Sequence, residues 1–467
     1  MTDRHRHESE PLACTDALAT QPTTRRAILR GIAGAGALGA GSALLAACGA
    51  GSTPSESRSD SGGSETPATT LRIGFVSPAS GHSAGFGSVD RFVINRFIRA
   101  LGPGLTIGGT LYRVQFELRD SQSDAQHAAR AATDLIGSGV DLMLASSTPE
   151  TVNPVADACE AARVPCLSAV CPWEAFYFGR GATPTKPFTY TYLFFIGVHE
   201  LERVYESLWL HGVTNNRTLG VLWPDDEDGH AMRRGLPPLL TKAGIEIIDP
   251  GAFPGGTQDF TSMISRFKSS HVQVLNSFAT PTDFATFWRQ AGQQGFRPKI
   301  ATIAKSGLLP SQMEALGDLG PGITSGVYWH PIWPTTSSVL GMTSRQLSEA
   351  YETDSGRQWT QNLGTTAALF EAALKALSSA DDPKNKRMVA AALATLRVDT
   401  VVGTLDWTKG PVKNVAIQPL VGGKWVRSGG RFPLDIQIVE NSGYPALTVQ
   451  AKDSPLSQLP SPSPSPS

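Results

Sequence analysis

The chain has 467 residues, 40% of them hydrophobic, and 40 Lys and Arg balance 41 Asp and Glu for a net charge of −1. At ~100–200 residues per domain this allows two or three domains with ample cores. The near-neutral balance excludes the basic footprint of a nucleic-acid binder or of a protein held on anionic lipid by charge.

The chain opens polar and irregular up to Thr24, then reads Thr24-Arg25-Arg26-Ala27-Ile28-Leu29-Arg30. Paired arginines before an apolar run match a twin-arginine signal. The Gly/Ala-rich run 33–47 is shorter than the ~20 apolar residues of a membrane span and fits a signal-peptide core. It ends in Leu45-Ala46-Ala47-Cys48, which resembles a bacterial lipobox, so residues 1–47 are expected to be removed and Cys48 to carry a lipid. Residues 48–70 read as a flexible linker with almost nothing to bury. This predicts an exported protein, anchored to the outer face of the cytoplasmic membrane or held in the periplasm.

From Leu71 the pattern alternates. Residues 71–76 (LRIGFV) form an apolar strand and 78–88 a turn-rich loop, followed by a helix at 90–101. Strands follow at 110–119, 140–145 and 164–169, separated by helices at 125–137 and 150–162. The rhythm repeats. Leu208 lies in a helix, and strands are expected at 218–223, 245–248, 272–277 and 299–303, with helices at 232–243, 260–269 and 283–293. Strands separated by helices imply parallel sheets covered on both faces. The result is two α/β blocks, about 71–190 and 191–330, whose cleft lies at the carboxyl ends of the strands. The Ser-Pro repeat at the end of the chain, within 447–467, reads as an extended, disordered tail.

Several motifs invite chemistry. Gly81-His82-Ser83-Ala84-Gly85 fits G-x-S-x-G between strand and helix, the pattern of a nucleophile elbow, and would make the protein an exported serine esterase acting through Ser83. It follows the first strand of the body, however, where a hydrolase needs earlier strands to supply oxyanion donors. Gly-rich loop lining at the cleft edge is therefore the preferred reading, and the protein is not expected to be an enzyme. The acidic run 225–228 before Gly229 fails an EF-hand, since Pro224 and Gly235 stand where ligands belong. It is either a solvated strand-end loop or the source of a carboxylate for the cleft. The nine His form no HxxxH or HExxH array, and there is no P-loop or dinucleotide fingerprint, so no metal or cofactor is expected. Cys159, Cys166 and Cys171 match no zinc spacing and are expected to be structural, unpaired thiols. The aromatics at 328–334 (YWHPIWP) fit either stacking on a ligand or hinge packing.

Taken in order, these residues resemble the branched-chain-amino-acid type of periplasmic binding protein that serves ABC importers. The resemblance rests on Ile73-Gly74-Phe75-Val76-Ser77-Pro78 with Gly81 and Phe86-Gly87, then 118–124 (LRDSQSD) with its Ala-rich helix and Gly139-Val140-Asp141. It continues through Val164-Pro165-Cys166-Leu167-Ser168, Gly403-Thr404-Leu405-Asp406 and Gly422-Gly423-Lys424-Trp425. It covers about 71–446. It implies two Rossmann-like lobes with parallel central sheets joined by a three-crossover hinge. Residues 71–190 plus 331–400 form the first lobe, and 191–330 plus 401–446 the second. The implied function is capture of a small polar ligand, of amino acid, amide or carboxylate type, by closure of the lobes. The implied partners are permease subunits with a cytoplasmic ATPase. A ligand-sensing module of a membrane receptor is the alternative.

In that family the loop corresponding to Ser146-Ser147-Thr148 holds the ligand carboxylate, and Val170-Cys171 with Trp173 forms the adjoining wall. Ser80 and Phe86 in the opening loop, Phe278 at a strand end, and Trp329 complete the implied contacts. Two positions depart from the family. Asp228, not an aromatic residue, precedes Gly229. Lys305 stands where the family places an acid for the ligand's amino group, so an ammonium ligand would need compensation from Asp226 or Asp228.

Overall fold

The computed structural model describes residues 69–456; the signal segment, Cys48 and most of the linker, together with residues 457–467, lie outside them. The chain first lays down β1 (Thr69–Ser77), α1 (Asp90–Leu101), β2 (Leu105–Ile107), β3 (Thr110–Asp120), α2 (Ala125–Gly137), β4 (Leu142–Ser146), α3 (Pro149–Ala162), β5 (Cys166–Ala169), α4 (Trp173–Tyr177) and β6 (Thr191–Phe195). It then crosses and repeats the pattern with α5 (Val198–Ser207), β7 (Thr218–Leu222), α6 (Glu227–Lys242), β8 (Glu246–Ile248), α7 (Thr261–Ser269), β9 (Val274–Ser277), α8 (Pro281–Gln293), β10 (Ile300–Ile303), α9 (Pro310–Ala315) and β11 (Thr324–Val327). After a second crossing come α10 (Ser344–Ser355), α11 (Asn362–Ser379), α12 (Lys386–Ala394), β12 (Arg397–Thr400), β13 (Gly403–Asp406) and β14 (Val415–Ile417). A third crossing leads to β15 (Val421–Arg427) and β16 (Leu434–Glu440).

Two seven-stranded sheets result. The first has the order β14-β6-β5-β4-β1-β3-β2 and the second β16-β15-β11-β10-β9-β7-β8. The strands from β14 through β3 run parallel, as do those from β11 through β8, while β2, β15 and β16 are antiparallel additions. Burial on both faces explains why the central strands read as unbroken apolar runs. In each sheet the chain first steps outward on one side and then continues on the other, so a crevice opens beside β1 and beside β7 at the strand ends.

The sheets redraw the expected boundaries. Residues 191–195 belong to the first lobe, because β6 pairs with β5. Residues 415–417, expected in the second lobe, form the first sheet's edge beside β6. Thr69 and Thr70 are strand, not linker. Residues 447–456, expected in the tail, are fastened to the second lobe. Lys424 Nζ lies 3.0 Å from Asp453 Oδ1, and the Leu456 amide donates to the Lys299 carbonyl at 2.7 Å. Cys159, Cys166 and Cys171 are buried, free thiols. Among the described residues no helix is long and apolar enough to cross a membrane.

α11 is the keystone of the first lobe. Fifteen of its residues are buried, and a helix apolar all round belongs inside a core. Its Phe370 ring meets Phe75, Phe97 and Phe116 at centroid distances of 5.5, 5.3 and 5.0 Å. Nearby, Asp90 is 2% exposed. Burial pushes its carboxyl up to about 7, and the Thr366 hydroxyl, 3.5 Å from Asp90 Oδ1, only partly offsets the rise. A raised acid favours folding while protonated, so its contribution is complete below the unfolded value near 4 and is lost as pH rises toward 7. At about 1.4 kcal/mol per unit, roughly 3 kcal/mol should disappear between pH 5 and pH 7. Glu174, also raised to about 7 by burial, titrates in the same window. Asp90→Asn should therefore remove roughly 2–3 kcal/mol of the stability change between the two pH values in urea denaturation; an unchanged difference would refute the assignment.

Candidate functional site

The carboxyl ends of β1, β4, β5, β7, β9 and β10 face one cleft between the two sheets. Each strand hands over to a loop there, and the loops after β4, β7 and β9 bring the N-termini of α3, α6 and α8 to its wall. α3 begins after Thr148 with Pro149 at its first position. α6 is capped by Asp226, whose side chain accepts from the Gly229 amide, and α8 by Thr280, whose hydroxyl accepts from the Asp283 amide. Helix N-termini carry a partial positive charge, so the acidic residues in these first turns are favourably placed. The helix expected from residue 232 therefore starts at Glu227: the acidic run is a capped first turn and not a solvated loop. Gly229 is required there, because a Cβ would lie 2.0 Å from the Pro224 carbonyl oxygen.

The cleft has two chambers. The inner one, about 50 Å³, is lined by Phe86, Val170, Phe195, Leu201, Phe278, Tyr328 and Leu420, among others. Phe195, Tyr328 and Leu420 lie at the three crossings, so this chamber sits against the hinge. The hinge is tightly bonded. Tyr328 Oη donates to Asn362 Oδ1 at 2.5 Å, and Gln418 Nε2 donates to the Tyr328 carbonyl at 2.7 Å. The Tyr328 amide donates to Gln361 Oε1 at 2.8 Å, and the Tyr328 and Phe195 rings meet edge to face at 5.0 Å. The outer vestibule, about 730 Å³, carries mostly acidic charge, with His82, Ser83, Glu150, Asp225, Glu227 and Asp283 in its wall. Phe86, Thr148, Asp228 and Lys305 line both chambers and form the throat between them.

At the throat, Lys305 Nζ lies 2.8 Å from Asp226 Oδ2 and 2.8 Å from Asp228 Oδ2. Burial opposes the Lys305 charge, but the two carboxylates outweigh it and raise its pKa. Burial also raises Asp228, against the pull of Lys305. Among the described residues' buried polar atoms without a hydrogen-bond partner, two lie at the throat: Asp228 Oδ1 from the second lobe and Thr148 Oγ1 from the first. Buried polar groups are rarely left unpaired, so both atoms await a partner. Backbone strain adds to the site. Val170, a β-branched residue, has φ 62° and Lys305 has φ 43°, conformations costly for such residues and typical of functional positions.

Of the residues expected from sequence, Phe86, Thr148, Val170, Asp226, Asp228, Phe278 and Lys305 meet in the cleft. The others do not line it. Ser80 Oγ is used by Asp120 Oδ2 at 2.6 Å, organising the opening loop. Ser146 and Ser147 are buried behind Thr148. Cys171 is fully buried and donates to the Pro172 carbonyl, while Pro172 takes its place in the chamber wall. Trp173 packs on Phe178 at 5.6 Å and against Gly197. Trp329 is core: its Nε1 donates to Ser344 Oγ at 3.2 Å and its ring lies on Gly364. Its neighbour Tyr328 is the aromatic of the hinge wall. Leu201 and Tyr205 of α5 and Leu420 before β15 also line the inner chamber and are not among the residues expected from sequence. Ser83 lines the vestibule and its amide donates to Ser123 Oγ at 3.0 Å; the adjacent His82 pairs with Glu150 at 3.4 Å.

Residues 70–431 match the periplasmic binding protein family. The chain belongs to that family. A curated relative, a Leu/Ile/Val-binding protein homolog of Brucella abortus, is 25% identical over 89 residues, or 19% of this chain and 22% of the relative; the match thus spans about a fifth of that protein's length. Solved structures extend the likeness to the whole body. A leucine binding protein from Thermotoga maritima superposes with a TM-score of 0.64 at 18% identity, covering 80% of this chain and 99% of its own. A solute binding protein of an ABC transporter from Rhodopseudomonas palustris, in complex with 3,4-dihydroxy benzoic acid, gives 0.62 at 15%, covering 77% and 94%. The branched-chain amino acid binding protein from Streptococcus pneumoniae, in complex with isoleucine, gives 0.61 at 14%, covering 80% and 100%. The two-lobe arrangement of this periplasmic binding protein is therefore that of its family.

Proposed function

We propose that this protein is the extracytoplasmic solute receptor of an ABC importer, tethered through a lipid on Cys48. In this reading the ligand is a small solute of amino acid, amide or carboxylate type. Its polar head sits at the throat and its apolar body in the inner chamber. The observation that carries the reading is the pair of unpartnered buried atoms on opposite lobes, Thr148 Oγ1 and Asp228 Oδ1. A ligand that bonds both gains contacts only when the lobes approach, which is what differential stabilisation of a closed state requires. Family membership supports the same role, and the LAAC sequence at 45–48 supports the anchor. A lipid-held receptor would stay near the permease that takes its cargo.

Native mass spectrometry of protein extracted from membranes tests both parts at once. The expected species begins at Cys48, carries the mass of its acyl chains, and releases a small molecule on collisional activation. A chain that retains residues 1–47, or carries no acyl mass, would defeat the anchor. A chain with no exchangeable small solute, and no thermal shift with any of a broad solute library, would defeat the receptor.

A further inference from the structure

The hydrogen bonds already made at the throat restrict what a ligand can present there. Lys305 looks like an anion site but is occupied: both neighbouring carboxylates lie 2.8 Å from its ammonium. An incoming carboxylate could take only the third N–H of that ammonium, and would stand there as a third anion beside Asp226 and Asp228. Asp228 Oδ1 is in the opposite situation. Asp228 is 4% exposed, lines both chambers, and this oxygen accepts nothing. An ionised oxygen has only lone pairs to offer, so its missing partner is a donor. Thr148 Oγ1, across the throat, can accept from the same donor group.

The vestibule points the same way. Glu150, Asp225, Asp226, Glu227, Asp228 and Asp283 line it together with Lys305 and two histidines. Even after three helix N-termini each contribute about half a positive charge, it stays negative by about three to four charges with the histidines neutral. A cleft of one sign concentrates ligands of the other. The inner chamber, at about 50 Å³, has room for a few groups the size of a water at ~10–15 Å³ each, and its wall is apolar.

We propose that the ligand of this cleft is an amine with a short apolar body, its ammonium received by Asp228 Oδ1 and Thr148 Oγ1, with Lys305 setting the strength of that contact as the counter-ion of Asp228. The inference rests on the receptor reading but moves its ligand class from amino acids, amides and carboxylates to amines, excluding simple carboxylates. Selectivity follows from charge: a carboxylate in the same position meets Asp228 and Asp226 at close range.

Titration calorimetry with shape-matched pairs tests it: 3-methylbutylamine against 3-methylbutanoate, benzylamine against benzoate, and leucine as the zwitterion. At least one amine is expected to bind at least tenfold tighter than its carboxylate partner and at least as tightly as leucine. Asp228→Asn should weaken that amine tenfold or more. Lys305→Met, which frees Asp228 of its internal cation, should tighten it, a change of sign that loss of folding cannot produce. Carboxylates or leucine bound tenfold tighter than the amines, or amine affinity that falls in Lys305→Met, would overturn the inference while leaving the receptor reading intact. Failure of every amine to bind overturns it too; only failure of all solutes also removes the receptor reading.

Discussion

Replacing Lys305 by glutamate is expected to lower the stability of the protein at pH 7 by at least about 3–5 kcal/mol, the usual cost of stranding one partner of a buried ion pair. The side chains of Lys305 and Asp228 are 11% and 5% exposed, whereas that of Asp226 is 37% exposed. The Asp228 pair therefore dominates, and the Asp226 contact is discounted for solvent screening. The substitution removes the cation and adds a third carboxylate beside two others. Asp226 cannot simply swing away, because its Oδ1 caps α6 by accepting from the Gly229 amide at 2.8 Å. The pH dependence carries the sign. In the wild type the raised Lys305 pKa contributes stability at every pH below the unfolded value near 10.4, so this group leaves the neutral range flat. In the variant, crowded carboxylates titrate above their unfolded values near 4. Stability is then retained at low pH and lost as pH rises. Guanidinium denaturation at pH 5 and pH 8 should show a deficit that shrinks at pH 5. A loss below about 1 kcal/mol at pH 7 would mean that the three charges are solvated and not buried together.

The features legible in sequence were local ones. The bounds of α1 and α2 are the expected ones, because each has a periodic apolar face and a turn at either end. The β1 run reads as a doubly covered strand for the same reason. In sequence α6 reads as starting only at 232, because four acidic residues in a row resemble solvent-facing loop. The stronger signal was Asp226 followed by acids ahead of an apolar run, which is how a helix begins. α11 left no periodicity to find, since burial on every side erases it. β14 reads as part of the other lobe because a three-residue strand owes its place to a partner more than two hundred residues away.

The site divides along the same line. Strand order locates the loops that face the cleft, so Phe86, Thr148, Val170, Asp228, Phe278 and Lys305 were within reach of the sequence. Which neighbour in a loop turns inward was not. Tyr328 and Trp329 exchange roles through a shift of one position along an extended chain, where successive side chains face opposite ways. Pro172 replaces Cys171 and Trp173 through the turn that follows Val170. The pairing of Lys305 with both aspartates depends on the distance between two loops nearly eighty residues apart, and only the fold supplies that.

The hinge offers the second large effect. Glu371, on α11, is 1% exposed and binds the segment of the second crossing to the core. Its Oε1 accepts from the Ser337 and Ser338 hydroxyls at 2.8 and 2.9 Å and from the Ser338 amide, while Oε2 accepts from the Val401 amide at 2.9 Å. Burial raises the Glu371 pKa, and these donors hold it down. Glu371→Ala would strand two backbone amides, at about 1–3 kcal/mol each, because hydroxyls can turn to other acceptors but amides cannot. The expected loss is about 3–5 kcal/mol. Glu371→Gln keeps the shape but has one acceptor oxygen in place of two, so it should satisfy one cluster and lose about 1–3 kcal/mol. This ordering separates a hydrogen-bonded clamp from simple packing, for which Gln would be neutral. The function should respond as well. The segment held by Glu371 follows Tyr328, whose backbone carbonyl and amide are bound by Gln418 and Gln361 at the hinge. A loosened second crossing widens the range of lobe angles in the unliganded protein, and ligand must then order more chain on closing. Small-angle scattering should therefore report a larger radius for ligand-free Glu371→Gln, and calorimetry a weaker affinity for whatever solute the wild type binds. Equal radii with unequal stability would confine Glu371 to the core of the first lobe and release the hinge from its control.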